Sequence, residues 1–270
     1  MKTFLRWAGG KQKIVNQILA NIPTESQIKK YFEPFLGAGS LFFANGFSKA
    51  YLSDINPQLI NTYKQIKTNH IRIIQLLETY KLKFRQDPKY YYQLRDLYNQ
   101  DKVENNHIQA ARFIFLIHTN YNGMYRLNEK NEYNVPLGKL EPNLPDLNKL
   151  SIISDKLKET KIECQDYWNI LDKVKSGDFV YLDPPYPPID WEITQRQYTV
   201  KKFGKSDHEK LSTFANELRN TSCYVLISYP DMNFIRRLYK NWHIVKLDAF
   251  RSISCKKERK QITELLIKNY

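Results

Sequence analysis

A short apolar run that ends in an acidic residue and two prolines constrains the fold of this chain more than any other feature. The run is Phe179–Leu182, and Asp183, Pro184, Pro185 and Tyr186 follow it directly. Its apolar, β-forming residues are typical of a strand buried on both faces, and the strand ends at Asp183 because prolines supply no backbone N–H. The sequence therefore predicts an α/β sheet with a carboxylate at the carboxyl end of a buried strand, where such sheets bind ligands.

The residues at this strand end can assist a transfer to an amine that is conjugated with an aromatic ring. The lone pair of such an amine is delocalised, so the nitrogen is a poor nucleophile. The Asp183 carboxylate and the Pro184 carbonyl can accept its two N–H bonds, and Tyr186 can stack on the ring. A strand that ends in a proline turn beside a core tyrosine would show the same residues, so the motif alone leaves both interpretations open.

A glycine turn and a second strand-end carboxylate form a nucleoside-binding pattern near the N-terminus. Gly37 and Gly39 flank one alanine in a turn that follows a predicted strand and opens a helix. Such a turn lets a nucleoside lie against the backbone. The next predicted strand, 49–53, ends at Asp54, whose carboxylate can accept from both ribose hydroxyls or cap the helix that follows. The third glycine of a dinucleotide fingerprint is missing, which disfavours NAD.

From 57 to 145 the alternation of strands and helices lapses, and helical patterns take its place. The predicted helices are 59–80, 90–98 and 108–118. A helical insertion into an α/β domain is a candidate substrate-recognition lobe. We therefore predict a Rossmann-like catalytic domain formed by 1–56 and 146–270, with a recognition domain inserted over 57–145.

The end of this insertion has the pattern of a two-stranded ribbon. Its two halves and the polar turn between them are 120–127, 132–139 and 128–131. A ribbon of this kind fits the major groove of B-DNA. Arg126 can pair with a guanine there, and Lys139 can contact the backbone. Asn120 or Asn122 can address an adenine or a phosphate, although an ordinary surface hairpin would have the same sequence.

The composition favours a polyanionic partner and a reducing compartment. Lys and Arg number 42 against 28 Asp and Glu, a net charge of +14, which supports nucleic acid as the partner, although many basic proteins bind none. Cys164, Cys223 and Cys255 are scattered, so we expect neither a disulfide framework nor a metal site. The N-terminus has no apolar signal region and no run approaches membrane-spanning length, so we expect a cytoplasmic protein that works on DNA.

Taken in order, these motifs resemble one enzyme family closely. They are WAGGK at 7–11, EPFLGAGS at 33–40, DIN at 54–56, NYNGMYR at 120–126, DPPY at 183–186 and RSIS at 251–254. This ordered set resembles the Dam family of DNA adenine-N6 methyltransferases, of the alpha-order, DPPY type. The resemblance implies methyl transfer from S-adenosylmethionine to N6 of a flipped-out adenine in duplex DNA, within GATC or a longer site built on GAT.

The resemblance also implies a role for each matching residue. The cofactor would be bound by Trp7, Lys11, Phe35, Gly37, Gly39, Asp54, Asp166 and Asp183. The catalytic set would be Asp183, Pro184, Pro185 and Tyr186. The DNA would be contacted by Asn120, Tyr121, Asn122, Met124, Arg126, Asn134, Lys139, Arg251 and Ser252. Since one base is flipped per event, a monomer would suffice, and a cognate restriction endonuclease would be a functional partner.

Two other classes of function share part of this pattern. An RNA or protein amino-methyltransferase can carry the same DPPY tetrapeptide, but the long insertion and its NYNGMYR segment argue against that class. A non-catalytic nucleic-acid-binding module would explain the charge and the ribbon, but it would not need the glycine turn, Asp54 and Asp183 together. The loop 187–205 is long enough to fold over a substrate. Its extra Pro187 and Pro188 depart from the family pattern and leave its role open.

Overall fold

The computed structural model describes residues 3–101, 105–139, 143–187, 203–247 and 263–270. The strands are β1 (Tyr31–Glu33), β2 (Ala50–Asp54), β3 (Lys161–Cys164), β4 (Phe179–Leu182), β5 (Tyr224–Pro230), β6 (His243–Leu247) and β7 (Glu264–Lys268). The α-helices are α1 (Val15–Leu19), α2 (Ser40–Asn45), α3 (Pro57–Gln86), α4 (Tyr90–Gln100), α5 (His107–Thr119), α6 (Leu147–Leu157), α7 (Lys205–Asn220) and α8 (Asn233–Leu238). Short 3₁₀ segments cover Glu25–Gln27, Tyr121–Gly123 and Tyr167–Lys173.

The described strands form one seven-stranded sheet in the order β3-β2-β1-β4-β5-β7-β6. β1 pairs in parallel with β2 and β4, and β4 pairs in parallel with β5. β7 runs antiparallel to β5 and to β6. The predicted α/β class is therefore confirmed, and the mostly parallel sheet is consistent with a methyltransferase fold.

The apolar run from which the α/β class was predicted lies at the centre of this sheet. Every residue of β4 is buried, and so is every residue of β1 beside it. Strands covered on both faces are apolar throughout, whereas edge strands alternate. β3 and β6 at the two edges are less buried, since each contains exposed as well as buried positions. The strand end that carries Asp183 is thus anchored in the best-buried part of the sheet.

Internal contacts divide the chain into two compact units. Unit 1 consists of Met1–Gly10, Gly37–Gly46 and Ser53–Gln165. Unit 2 consists of Lys11–Leu36, Phe47–Leu52 and Asp166–Tyr270. The inserted recognition domain over 57–145 stays a prediction.

Unit 1 is built around α3 and α5. The Asn56 side chain accepts hydrogen bonds from the N–H groups of Gln58 and Leu59 at 3.0 and 3.1 Å, and Pro57 occupies the first helical position. These two start signals explain why α3 begins before its apolar periodicity does. α5 packs on α3 and is buried on almost all sides. Among the described residues, no helix combines the length and the apolarity that crossing a bilayer requires.

Unit 2 has a core of apolar side chains that come from the central strands of the sheet and from α7. Val180 and Leu182 of β4, Val225 and Ile227 of β5 and Leu265 of β7 belong to it. α7 adds Leu211, Phe214, Ala215 and Leu218 from one face, which is the spacing expected of an amphipathic helix. This packing supports the ends of β4 and β5 and the start of β7, which lie at the same edge of the sheet.

Candidate active site

The glycine turn and Asp54 are joined directly by hydrogen bonds within unit 1. Asp54 Oδ2 accepts from the Gly37 N–H and Oδ1 accepts from the Asn56 N–H, each at 3.0 Å. The Tyr63 hydroxyl donates to the Gly37 carbonyl at 2.9 Å. Asn56, not Asp54, caps α3, so the helix-cap interpretation of Asp54 is wrong. Because an ionised carboxylate has about four acceptor positions, Asp54 keeps capacity for a further donor such as a ribose hydroxyl.

Burial sets the electrostatics of this carboxylate. Desolvation raises the pKa of Asp54 above its ordinary value, and the N–H groups of Gly37, Asn56 and Ile55 oppose that rise. Hydrogen-bond donors favour the charged form of a carboxylate. A ligand that brings further O–H donors to Asp54 would therefore stabilise its charge.

The indole of Trp7 packs against Gly37 of the glycine turn. A Cβ atom on Gly37 would lie 3.1 Å from Trp7 Cδ1, and Gly37 has a φ of +46°. Any larger residue there would be strained and would collide with the indole. Trp7 in turn stacks on Tyr125, with ring centroids 5.6 Å apart and an interplanar angle of 28°. In unit 1 the first motif thus contacts both the glycine turn and the NYNGMYR segment.

The strand end of β4 carries a buried cluster of charged groups within unit 2. The Lys11 ammonium, only 2% exposed, forms an ion pair with Asp183 Oδ1. Its Nζ atom also lies 3.7 Å from Glu264 Oε1 and 4.6 Å from the centroid of the Tyr186 ring. The Tyr186 hydroxyl donates to Glu264 Oε1. Asp183 and Tyr186 of one motif and Lys11 of another are therefore brought together.

A buried tyrosine supports this cluster from β4 itself. Burial raises the pKa of Tyr181 well above its ordinary value, and the neighbouring carboxylates of Asp183, Glu33 and Glu264 raise it further. The Tyr181 hydroxyl consequently stays protonated, and it shares a hydrogen bond of 2.8 Å with Ser228 Oγ. Such a neutral hydroxyl adds no charge beside the acidic groups.

Two further predicted cofactor residues lie together in unit 2. The ring of Phe35 stacks on that of Tyr167, with centroids 5.2 Å apart and an angle of 27°. Asp166 is exposed and accepts from the Trp168 N–H at 2.9 Å, so it caps the 3₁₀ segment that starts at Tyr167. Its carboxylate can meet a ligand while it performs that local role.

The segment predicted to read DNA contains isolated antiparallel bridges rather than continuous strands. The bridged pairs are Asn120 with Leu137 and Leu127 with Tyr133. Asn122 and Gly123 both have positive φ, 57° and 64°, and make the turn at its start. The two-stranded ribbon over 120–139 therefore stays a prediction.

The predicted DNA contacts differ in exposure. Tyr121, Asn122 and Lys139 are exposed, whereas Met124, Arg126 and Asn134 are half-buried. Asn120 is 2% exposed, and its side-chain NH₂ donates to the Met124 carbonyl at 2.6 Å and to the Tyr133 hydroxyl. In this structure its amide supports the fold of the segment. Arg251 and Ser252 lie outside the described residues, as does most of the loop 187–205.

Arg126 is the predicted DNA contact with the most defined surroundings. Its Nε–H donates to Asn134 Oδ1 at 2.8 Å, and a terminal nitrogen donates to the Asn134 carbonyl at 3.4 Å. Asn134 thus orients the plane of the guanidinium. This is the arrangement that a forked donor needs before it can meet a planar acceptor.

Sequence patterns missed Glu264, Tyr63 and Tyr125 as members of these clusters. Glu264 is fully buried, and its one local signal is a charge directly before the three apolar residues of β7. Burying a carboxylate is costly unless it is paired. A charged residue at the start of a buried strand therefore indicates a site residue, as Asp183 does at the end of one.

Comparison with known proteins identifies the family to which these residues belong. A family profile described as D12 class N6 adenine-specific DNA methyltransferase matches residues 7–253. The Type II methyltransferase M.MjaIII of Methanocaldococcus jannaschii is 37% identical over 100% of this chain and 99% of its own length. The Type II methyltransferase M1.LlaDCHI of Lactococcus lactis subsp. cremoris is 32% identical over 100% of this chain and 96% of its own length.

A DNA adenine methylase of Haemophilus influenzae is 30% identical over 98% of this chain and 92% of its own length. Among solved structures, the precorrin 8W decarboxylase of Methanobacterium thermoautotrophicum has a TM-score of 0.38 at 8% identity, covering 96% of this chain and 89% of that one. That likeness is too weak to carry an argument. The family profile and the curated relatives agree with the motifs, and the chain belongs to the D12 class of N6 adenine-specific DNA methyltransferases.

Proposed function

We propose that this methyltransferase modifies adenine within GATC in duplex DNA, after the base has been flipped out of the helix. The observation that supports the chemistry is the strand-end cluster, in which Asp183, Lys11 and Tyr186 lie together. The observation that supports the sequence preference is the Arg126 guanidinium, which Asn134 orients.

Membership of the family implies S-adenosylmethionine as the methyl donor, and the described residues fit it. Asp54 has acceptor capacity for a ribose hydroxyl, and Gly37 and Gly39 have no side chains to obstruct an approach to their backbone. The stacked rings of Phe35 and Tyr167 offer a flat apolar surface for an adenine moiety. When bound, the cofactor supplies an electrophilic methyl group on a positively charged sulfur.

The protein's own contribution is to prepare the amine that attacks this methyl group. Asp183 Oδ and the Pro184 carbonyl accept the two N–H bonds of adenine N6 and draw its lone pair out of conjugation with the ring. Proline fixes φ, so the carbonyl and the carboxylate keep one relative position. The Lys11 ammonium balances the negative charge of Asp183 in a buried setting.

Base flipping is part of the same proposal. Enzymes that modify a base must extrude it from the stack, which costs a few kcal/mol. The Tyr186 ring would offset part of this cost by stacking on the extruded adenine. We assign the recognition of the surrounding duplex to the inserted domain over 57–145, with Tyr121 and Asn122 beside the vacated position.

Arg126 is proposed as the reader of a guanine. An arginine fork matches the O6 and N7 acceptors that guanine presents in the major groove. Asn134 takes the Nε–H of Arg126 and one N–H of a terminal nitrogen, so the remaining N–H groups at the end of the fork are the ones we assign to a base. A preorganised fork discriminates better than a mobile one because less side-chain freedom is lost on binding.

The test has two stages. Modification-sensitive sequencing of DNA from a methylation-free host that expresses the protein identifies the methylated site. Initial rates are then compared on GATC and on each single-base variant of it. Arg126→Ala should lose about 1–3 kcal/mol of discrimination at one guanine position, and Arg126→Lys should lose a similar amount because it keeps the charge but not the fork.

Two further variants give this experiment its controls. Asn134→Ala should relax the same guanine position as Arg126→Ala, since it frees the guanidinium. Lys139→Ala should slow all duplexes alike if it meets only phosphate. A uniform loss for Arg126→Ala would make the arginine a backbone contact, and methylation at an unrelated sequence would refute GATC.

The type II names of two relatives lead us to propose a restriction endonuclease that cuts at the same unmethylated site. Each chain carries one set of site residues, so we also propose a monomer. Light scattering of the purified protein with and without a cognate duplex measures its mass. A stable dimer on DNA would contradict the monomer.

A further inference from the structure

Glu264 is placed among the catalytic residues by the order of the sheet. It is the first residue of β7, and it lies opposite Pro230 of β5 and Leu247 of β6. Because β7 runs antiparallel to β5, its first residue lies at the edge where the parallel strands end. Asp183 follows β4 at that same edge, since Leu182 pairs with Ile227 of β5.

Two contacts of Glu264 are to proposed site residues. Its Oε1 atom accepts from the Tyr186 hydroxyl and lies 3.7 Å from Lys11 Nζ. Lys11 forms the ion pair with Asp183 and lies beneath the Tyr186 ring at 4.6 Å. The four side chains are therefore linked to one another, and Glu264 contacts both the Tyr186 hydroxyl and the Lys11 ammonium.

Burial makes these contacts strong. Glu264 is 0% exposed and Lys11 is 2% exposed. Removing one member of a buried ion pair leaves the other charge uncompensated, and charge-assisted hydrogen bonds are stronger than neutral ones. A purely structural carboxylate would stabilise the start of β7. It would not need the hydroxyl of one motif and the ammonium of another.

We propose that Glu264 is a positioning residue for methyl transfer. It binds the Tyr186 hydroxyl and the Lys11 ammonium, so that the Tyr186 ring and the Asp183 carboxylate keep one relative geometry. This inference rests on the roles proposed above for Asp183 and Tyr186. It assigns Glu264 no contact with the substrate.

The experiment compares Glu264→Gln, Tyr186→Phe and the double variant. Each is assayed for methyl transfer to genomic DNA from a methylation-free host, so that the result does not depend on GATC. Glu264→Gln keeps the shape of the side chain but loses its charge, and it should lower kcat about tenfold or more, since charged hydrogen bonds are lost. Tyr186→Phe keeps the ring and should lower kcat less.

The double variant gives the decisive comparison. If the hydroxyl serves only to bind Glu264, its removal adds nothing once the carboxylate is gone, and the double variant should match Glu264→Gln alone. Interacting residues are non-additive in this way, whereas independent ones multiply their losses. Multiplied losses, or a normal kcat in Glu264→Gln, would overturn the proposal.

Two readouts besides turnover separate positioning from stability. Calorimetric titration with S-adenosylhomocysteine counts the binding-competent chains, and kcat is expressed per competent chain. A fluorescent 2-aminopurine in place of the target adenine should emit more strongly in the Glu264→Gln complex, because stacking on a mobile Tyr186 quenches it less. A lower melting temperature with unchanged kcat per competent chain would leave Glu264 a structural residue.

The control is Glu209→Gln, which removes an exposed carboxylate from α7 of the same unit. It should not change kcat. If the parent enzyme methylates adenine at a site other than GATC, the sequence proposal fails while the test of Glu264 stands. If the parent enzyme is active and Glu264→Gln equals it, the inference alone fails.

Discussion

Replacing Asp54 by asparagine separates the structural role of this carboxylate from the cofactor-binding role that we propose for it. Its Oδ2 and Oδ1 atoms accept from the N–H groups of Gly37 and Asn56, each at 3.0 Å. Asparagine has one acceptor oxygen, so one of these N–H groups loses its partner. A buried donor left unsatisfied costs about 1–3 kcal/mol, and the free energy of unfolding should fall by about that amount.

The same substitution should also weaken binding of the cofactor. A hydrogen bond to a charged group contributes about 1.5–3 kcal/mol, so losing one ribose contact should weaken cofactor binding by about 10- to 150-fold. Since ribose contacts are alike in the ground and transition states, KM should rise more than kcat falls. Calorimetry with S-adenosylhomocysteine, urea unfolding and initial rates measure the three quantities.

Dependence on pH supplies an internal check. Burial raises the pKa of Asp54, and the proposed bonds from ribose hydroxyls would favour its ionised form. As the pH is lowered, cofactor affinity should therefore begin to fall at a higher pH than it would with an aspartate of ordinary pKa. Asp54→Asn should abolish that dependence on pH. Asp146→Asn is the matched control, because Asp146 is an exposed helix cap in the same unit that accepts from the Lys149 N–H at 2.8 Å. If Asp54→Asn lowers stability while cofactor affinity and KM stay unchanged, Asp54 only supports the backbone of the turn.

Three other outcomes are expected. Asp183→Ala should lower kcat on the order of 10²-fold or more while duplex binding survives, since its contact acts in the transition state; near-normal turnover would remove its catalytic role. Burial lowers the pKa of His118 from 6.5 to about 4. Below pH 6.5 the unfolded chain therefore binds more protons than the folded chain. The free energy of unfolding should consequently fall by about 3 kcal/mol between pH 6.5 and pH 4. His118→Gln should flatten this decline in urea unfolding, and an unchanged slope would contradict the assignment. Affinity for non-cognate duplex should weaken steeply with salt, as counterion release requires, and a flat response would argue against phosphate contacts.

Local patterns explain what could be predicted from the sequence. β4 begins and ends where predicted, because four apolar residues followed by two prolines permit few other structures. α3, α4 and α5 lie where helical periodicity indicated them, with starts adjusted by Asn56 and Asn106. The family could be recognised for the same reason, since its motifs are short and contiguous.

Contacts between distant parts of the chain decided the rest. Whether Asn120 and Arg126 face solvent or neighbours depends on Tyr133 and Asn134, which the bridged segment brings beside them. Periodicity carries no information about such pairings, so the amide of Asn120 was assigned to DNA although it bonds within unit 1. Its contact with DNA stays a prediction.

Glu264 is the clearest example of a residue whose neighbours the sequence alone could not predict. In the chain it is a charged residue at the head of an apolar run, and Lys11 lies near the opposite terminus. Only the antiparallel insertion of β7 between β5 and β6 brings its carboxylate to the edge where Asp183 lies. The sequence alone determined which residues can do this chemistry, because side-chain type is local. The tertiary structure decided which of them meet, because the cost of burying Lys11 and Glu264 is offset only when strands far apart in the chain place them together.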